Sequence, residues 1–170
     1  TVSESYAKEI QSPDFGEKLD GILRERNQDL YGIVNGIDSD IYNPEKDPDI
    51  FLNYNIDSLK DKQTNKLELQ TLLDLPQNKD IPLIGMVSRI DKMKGFDLIL
   101  HVIEELMSLD IQMVILGTGD YNFESVLKDF SNTYKNKLSA NIMFSSSLAQ
   151  KIYAGSDMLL MPSMFEPCGL

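Results

Sequence analysis

From Pro82 onward, apolar and polar positions alternate in blocks of two different periods. The run "PLIGMVS" (82–88) is short and continuously apolar, which predicts a strand buried on both faces. The next block, "GFDLILHVIEELMSL", places Phe96, Ile99, Leu100, Ile103, Leu106 and Met107 on one helical face. The alternation continues with strand "IQMVILG", helix "NFESVLKDFSNTY", strand "NIMF", helix "LAQKIYAGS" and strand "DMLLMP". Apolar strands alternating with amphipathic helices predict an α/β fold, a Rossmann-like parallel sheet with right-handed crossovers. Ligands of such sheets bind beyond the carboxyl ends of the strands.

The first eighty residues carry a weaker pattern. Helices are predicted at "SESYAKEI" and around "GEKLDGILRERNQ", then a short strand "LYGIV" closing in the turn signal "NG". Two X-Pro steps, Asn43-Pro44 and Asp47-Pro48, follow in a polar stretch that reads as a crossing between domains. "SLKDKQTNKLELQTLLDL" then predicts a helix leading into the first strand of the sheet.

Composition narrows the chemistry. A formal charge of −11 with no basic block argues against nucleic acid or an anionic membrane as partner, since both need clustered cations. A phosphate-bearing ligand must therefore be met by local cations. The single cysteine excludes an internal disulfide and a cysteine-rich zinc site, and cytoplasm is the expected compartment. No run approaches membrane-spanning length, and the opening residues carry no signal core. The one histidine, His101, falls inside a predicted helix, so no serine–histidine or cysteine–histidine nucleophile system can be assembled. The pairs Asp38/Asp40 and Asp47/Asp49 resemble metal ligands but occur at a frequency expected by chance in so acidic a chain, and no metal is expected.

Four places follow predicted strands. In "SRIDKMKGFD", Arg89 and Lys94 flank a loop that enters a helix near Gly95, where unpaired amides and two cations would suit a diphosphate; a solvated loop is an equal reading. In "ILGTGD", Gly117, Thr118 and Gly119 sit between strand and helix, but Asn122 breaks the full dinucleotide fingerprint and a tight turn is the simpler account. Phe144 ends "NIMF" and is either a base-stacking ring or core. Last, "MPSMFEPCGL" brings Glu166 out of a strand before Pro167, with Gly169 allowing close backbone approach and Leu170 entering a helix. A carboxylate there either grips sugar hydroxyls or is a lone surface Glu before Pro.

The segments "TVSESYAKEI", "GIVNGID", "YNPEKD", "PLIGMVSRIDKMKGFDLI", "ILGTGD", "IYAGSD" and "PSMFEPCGL" resemble, in order and spacing, the bacterial glycogen synthase and plant starch synthase family. The resemblance implies a two-Rossmann-domain (GT-B) glycosyltransferase that moves glucose from ADP-glucose to the non-reducing end of an α-1,4-glucan such as glycogen, with retention and without a metal or other cofactor. By position, it implies that Arg89 and Lys94 hold the donor's diphosphate and stabilise the departing ADP, and that Glu166 binds the glucosyl hydroxyls. It also implies that the amides around Cys168, Gly169 and Leu170 assist, that Phe144 stacks on adenine, and that Gly117, Thr118 and Gly119 line the nucleotide pocket. Asn35 is expected at the cleft on the acceptor side. Residues 1–35 would be the last part of an N-terminal domain and 36–170 the first part of the nucleotide-sugar domain, so that missing parts of the same polypeptide complete the enzyme and this piece alone is inactive. Met164, Gln150, Met93 and Glu4 stand where the family pattern has Arg, His, Gln and Pro. Two other readings stay open: a GT-B enzyme using a UDP-sugar, of sucrose or trehalose type, and a non-catalytic nucleotide-binding module.

Overall fold

The computed structural model describes residues Thr1–Gly169. They form two compact units, Thr1–Ser39 together with the chain from Phe165, and Asp40–Met164.

The larger unit is built on a four-stranded parallel sheet. Its strands are β1 (Leu83–Val87), β2 (Gln112–Gly117), β3 (Leu138–Ile142) and β4 (Met158–Leu159), in spatial order β3-β2-β1-β4. Four helices belong to it: α3 (Lys62–Leu72) before β1, α4 (Phe96–Ser108) between β1 and β2, α5 (Tyr121–Thr133) between β2 and β3, and α6 (Ser146–Gly155) between β3 and β4. The period-2 rule divides the strand side chains between two cores. Met86, Met113, Ile115 and Leu138 pack with Phe96, Ile99, Ile103 and Met107 of α4 and Leu127 of α5. Leu83, Val114 and Leu116 pack with Leu69 of α3 and Ile152 of α6. Both faces of β2 are thus covered, which is why its sequence is an unbroken apolar run rather than an alternating one. At its start, the buried Gln112 accepts a hydrogen bond from Gln70 of α3 (2.7 Å) and donates to the Pro76 carbonyl (2.8 Å), so the amide that enters the core is satisfied.

The strand order places the switch of direction between β1 and β4. Chain connections run outward from β1 through β2 to β3, then return across the sheet to β4. The carboxyl ends of β1 and β4 therefore border the crevice where ligands of such sheets settle.

Local signals account for most element boundaries, and four expectations are corrected. The predicted helix around 16–28 shrinks to α2 (Asp20–Glu25) because Glu17 and Lys18 adopt left-handed backbone (φ 48° and 70°), a conformation no right-handed helix accommodates. "LYGIV" forms no strand: its backbone bonds instead to the amino terminus, where Thr1 donates to Tyr31 O (2.6 Å) and Ile33 N donates to Thr1 O (2.8 Å), and Leu30 N closes the preceding turn on Asn27 O (3.4 Å). The third strand starts three residues earlier than "NIMF" and ends at Ile142, since Ser139 and Asn141 sit on a partly buried edge where polar side chains are tolerated. The fourth pairs through only two residues, Met158 with Ile84 and Leu159 with Gly85. No described helix is long and apolar enough to cross a membrane.

Behind β1 lies one unpaired polar group. The Ser156 hydroxyl is buried with no hydrogen-bond partner among the described residues, and it occupies the space that a side chain at Gly85 would need. An unpaired buried hydroxyl costs roughly 1–3 kcal/mol of desolvation. Ser156→Ala is therefore expected to raise stability by about 1 kcal/mol; a clear loss in denaturant titration would show that the hydroxyl has a partner in solution.

Candidate functional site

The loop after β1 is closed against the loop after β2. Ile90 N donates to Thr118 O (2.9 Å), Asp120 N donates to Ile90 O (2.7 Å), and Ser88 N donates to Leu116 O (3.1 Å). A side chain at Gly117 would overlap the Ser88 carbonyl, and one at Gly119 the Ile90 carbonyl. The two glycines are thus required by contact between loops. The Gly119 amide is in turn taken by the Glu124 carboxylate (2.7 Å), which ties the loop to the first turn of α5. This clasp fixes the backbone of Arg89 while leaving its guanidinium outside: the side chain is 76% exposed and meets Asp91 only loosely, at 3.6 Å.

Lys94 ends a single 3₁₀ turn, Lys92–Lys94, capped by Asp91, whose Oδ1 accepts from Lys94 N (2.9 Å). Gly95 then takes a left-handed conformation (φ 77°) with the Pro162 carbonyl packed where a Cβ would stand, so both backbone and space demand glycine. Met93 O accepts from Met164 N (2.9 Å), which stitches the chain after β4 to this turn. The amides of Lys94, Gly95 and Phe96 all donate within the turn, to Asp91 or Lys92. These three amides are therefore engaged inside the turn, and the cationic candidates here are the Arg89 and Lys94 side chains.

Arg89, Gly117, Thr118 and Phe144 line one pocket of about 230 Å³, together with Ser88 and Met143 among others. Phe144 lies past the end of β3 and is 92% exposed, which removes the core reading for this ring. A nearly naked aromatic face beside an exposed guanidinium is suited to a planar ring carrying an anionic tail. α6 begins at this pocket: Ser145 caps it, its Oγ accepting from Leu148 N (3.2 Å). The "SSS" run at 145–147 is the N-cap signal by which that wall could have been found in the sequence.

Glu166, Cys168 and Gly169 belong to the other unit. Their segment is anchored by Phe165, which stacks on Phe15 (centroids 4.9 Å apart, planes at 11°) and tilts against Tyr6 (5.2 Å). Ser3 Oγ donates to Pro167 O (2.6 Å) and its hydroxyl also accepts from Tyr6 N at the start of α1 (Glu4–Glu9). Glu166 is half-buried, and Gly169 is left-handed (φ 76°). Asn35 lies exposed in the irregular segment after Tyr31, and Leu170 lies outside the described residues. The aromatic trio Tyr6, Phe15 and Phe165 has no sequence signal, since its members are separated by up to 159 positions. Among the described residues no group of His, Cys, Asp and Glu could hold a metal ion.

Residues 73–170 match the family model of "Glycosyl transferases group 1". The chain belongs to that family. Within these transferases it is 58% identical over all 170 residues to the glycogen synthase of Clostridium acetobutylicum, covering 36% of that protein, and 53% identical to that of Thermosipho africanus, covering 35%. The chain thus spans about a third of the length of the relatives it matches. Among solved structures, the catalytic domain of starch synthase IV from Arabidopsis thaliana, bound to ADP and acarbose, superposes with a TM-score of 0.93 at 33% identity, over the whole chain and 35% of that domain. A glycosyltransferase from Rickettsia africae shares the fold at a TM-score of 0.56 and 18% identity. The parallel α/β sheet of the chain is accordingly that of a GT-B catalytic domain.

Proposed function

We propose that the chain is part of a glycogen synthase, a retaining transferase that moves glucose from ADP-glucose to the non-reducing end of an α-1,4-glucan. The observation that carries this reading is the pocket joining Arg89, Gly117, Thr118 and Phe144 at the carboxyl end of the sheet, in a chain alignable end to end with glycogen synthases. The structural neighbour bound to ADP and acarbose supports a nucleotide there and a glucan as acceptor.

In this reading adenine stacks on Phe144 and the ribose rests along Gly117–Gly119. Arg89 and Lys94 hold the diphosphate. As the glycosidic bond to the diphosphate breaks, negative charge grows on the departing ADP, and the two cations stabilise it more in the transition state than in the bound donor. Glu166 grips the glucosyl hydroxyls, with the amides near Cys168, Gly169 and Leu170 assisting, and Asn35 faces the cleft from the acceptor side. Residues 1–35 close the acceptor-side domain and 36–170 open the nucleotide-sugar domain. Transfer needs both walls, because donor and acceptor must be held in reacting geometry. The enzyme works in the cytoplasm without a metal cofactor.

The test is turnover of the full-length enzyme with ADP-glucose and UDP-glucose in parallel, glycogen as acceptor and a chelator present. Strong preference for ADP-glucose, unaffected by chelator, is expected. Preference for UDP-glucose would favour a sucrose- or trehalose-type transferase, and no turnover of either donor would favour a nucleotide-binding module.

A further inference from the structure

A second pocket, of about 350 Å³, opens at the opposite, amino-terminal end of the sheet, where β1 and β4 begin. Four lysines line it, Lys60, Lys62, Lys66 and Lys79, with Gln63 and one carboxylate, Asp157. Its walls carry a formal charge of +3 in a chain of −11. Such a concentration of one sign against the overall charge is not the pattern of a solvated surface.

Two of the cations are built in. Lys66 is 4% exposed; its ammonium donates to Lys79 O (2.9 Å) and pairs with Asp157 Oδ2 (2.7 Å), which also accepts from Leu83 N at the start of β1. Lys62 donates to the last carbonyls of α6, Tyr153 O (3.1 Å) and Ala154 O (2.6 Å), and stands 5.7 Å from the Tyr54 ring. An ammonium has three N–H donors. Each of these lysines therefore keeps one for the pocket, held in place by the other two bonds. The negative end of the α6 dipole is met here by Lys62, through those two carbonyls. Burial lowers the pKa of Lys62 against the pull of Asp157, and an anion beside it would favour the charged form. Lys60 and Lys79 are exposed and form no ion pair among the described residues. They are free to close over a ligand.

We infer that this pocket is a binding site for a small phosphate-bearing molecule, gripped by the fixed ammonium groups of Lys62 and Lys66 and covered by Lys60 and Lys79. Its volume exceeds that of phosphate alone, and Gln63 offers an amide to the polar groups of an attached organic body. The site lies across the sheet from the Arg89 pocket and does not depend on the reading of that pocket.

Calorimetric titration of the full-length protein tests it, with inorganic phosphate and a hexose monophosphate as probes and chloride at matched ionic strength as control. The Arg89→Ala background removes the cation of the other pocket. Saturable binding of a phosphate probe is expected, weakened about tenfold or more in Lys60→Gln/Lys79→Gln, which alters no structural contact. Tighter binding of the hexose monophosphate assigns the site to an organic phosphate, and equal binding assigns it to phosphate itself. Absence of binding beyond the chloride control, or equal affinity in the double variant, overturns the proposal.

Discussion

Arg89→Ala in the full-length enzyme is expected to lower kcat by about 10²–10³-fold, the range seen when one preorganised donor to a developing anion is removed. The guanidinium is 76% exposed and its contact with Asp91 is long, so the native state loses almost nothing when the side chain goes. The melting temperature should stay within about 1 °C, since exposed substitutions of this kind change stability by at most ~0.5 kcal/mol. Arg89→Lys should recover only part of the rate, because an ammonium cannot meet two phosphate oxygens side by side as a guanidinium can. Lys94→Ala should fall in the same range. What makes Arg89 effective is the clasp beneath it: Ile90 is bonded on both sides to the loop after β2, so the guanidinium is presented from a fixed backbone. Retention of wild-type kcat/KM by the folded Arg89→Ala enzyme would remove the residue from the donor site.

The alternation from Pro82 to Pro162 made the sheet legible, because buried parallel strands and amphipathic helices have distinct periods and each helix here carries one clear apolar face. Phe96, Ile99, Ile103 and Met107, assigned to one face by spacing, are all buried. Spacing also brought Arg89, Gly117, Thr118 and Phe144 forward as candidates, since each follows a strand. It did not reveal why the glycines are there. That reason is a close approach of two loops some thirty residues apart, and no local pattern encodes the Ser88 and Ile90 carbonyls that fill the missing Cβ positions. The edges of the sheet were misjudged for a related reason. A strand paired on one side, like β3, keeps polar residues such as Ser139 and Asn141, so its apolar pattern starts late. In the first forty residues the signals are weak in themselves: Ile33, Val34 and Ile37 form an apolar run but stand at least 66% exposed, so hydrophobicity there does not report a core of this chain. The lysine pocket was equally silent, because its members come from one helix, the turn before it and a distant loop, and only the fold subtracts them from an acidic average.

Asn65→Leu is expected to cost about 3 kcal/mol, the largest stability effect of any single polar substitution considered, since it leaves three backbone groups without partners. Asn65 is fully buried on α3; its Oδ1 accepts from Phe51 N (3.0 Å) and Leu52 N (3.2 Å), and its Nδ2 donates to Leu52 O (2.8 Å). The amide therefore acts as a missing strand partner for the irregular segment at 51–52, whose Phe51 packs against the Leu69 and Ile152 core and carries Lys151 over its ring at 5.5 Å. Leucine fits the volume but can neither donate nor accept. Exposed side-chain bonds nearby set the contrast: Gln77 donates to Leu67 O (3.1 Å) and Thr71 Oγ1 (2.6 Å) in full contact with water, and Gln77→Ala should cost no more than about 0.5 kcal/mol. At 2–4 °C per kcal/mol for a body of this size, the two variants should separate by roughly 5–10 °C in melting temperature. Equal melting temperatures would mean that water replaces the Asn65 bonds and that the segment is not held by them. If the separation is found, the loss should appear chiefly as unfolding, with kcat little changed at temperatures where the variant remains folded, because the Asn65 side chain bonds to the backbone of residues 51–52 and does not line the Arg89 pocket.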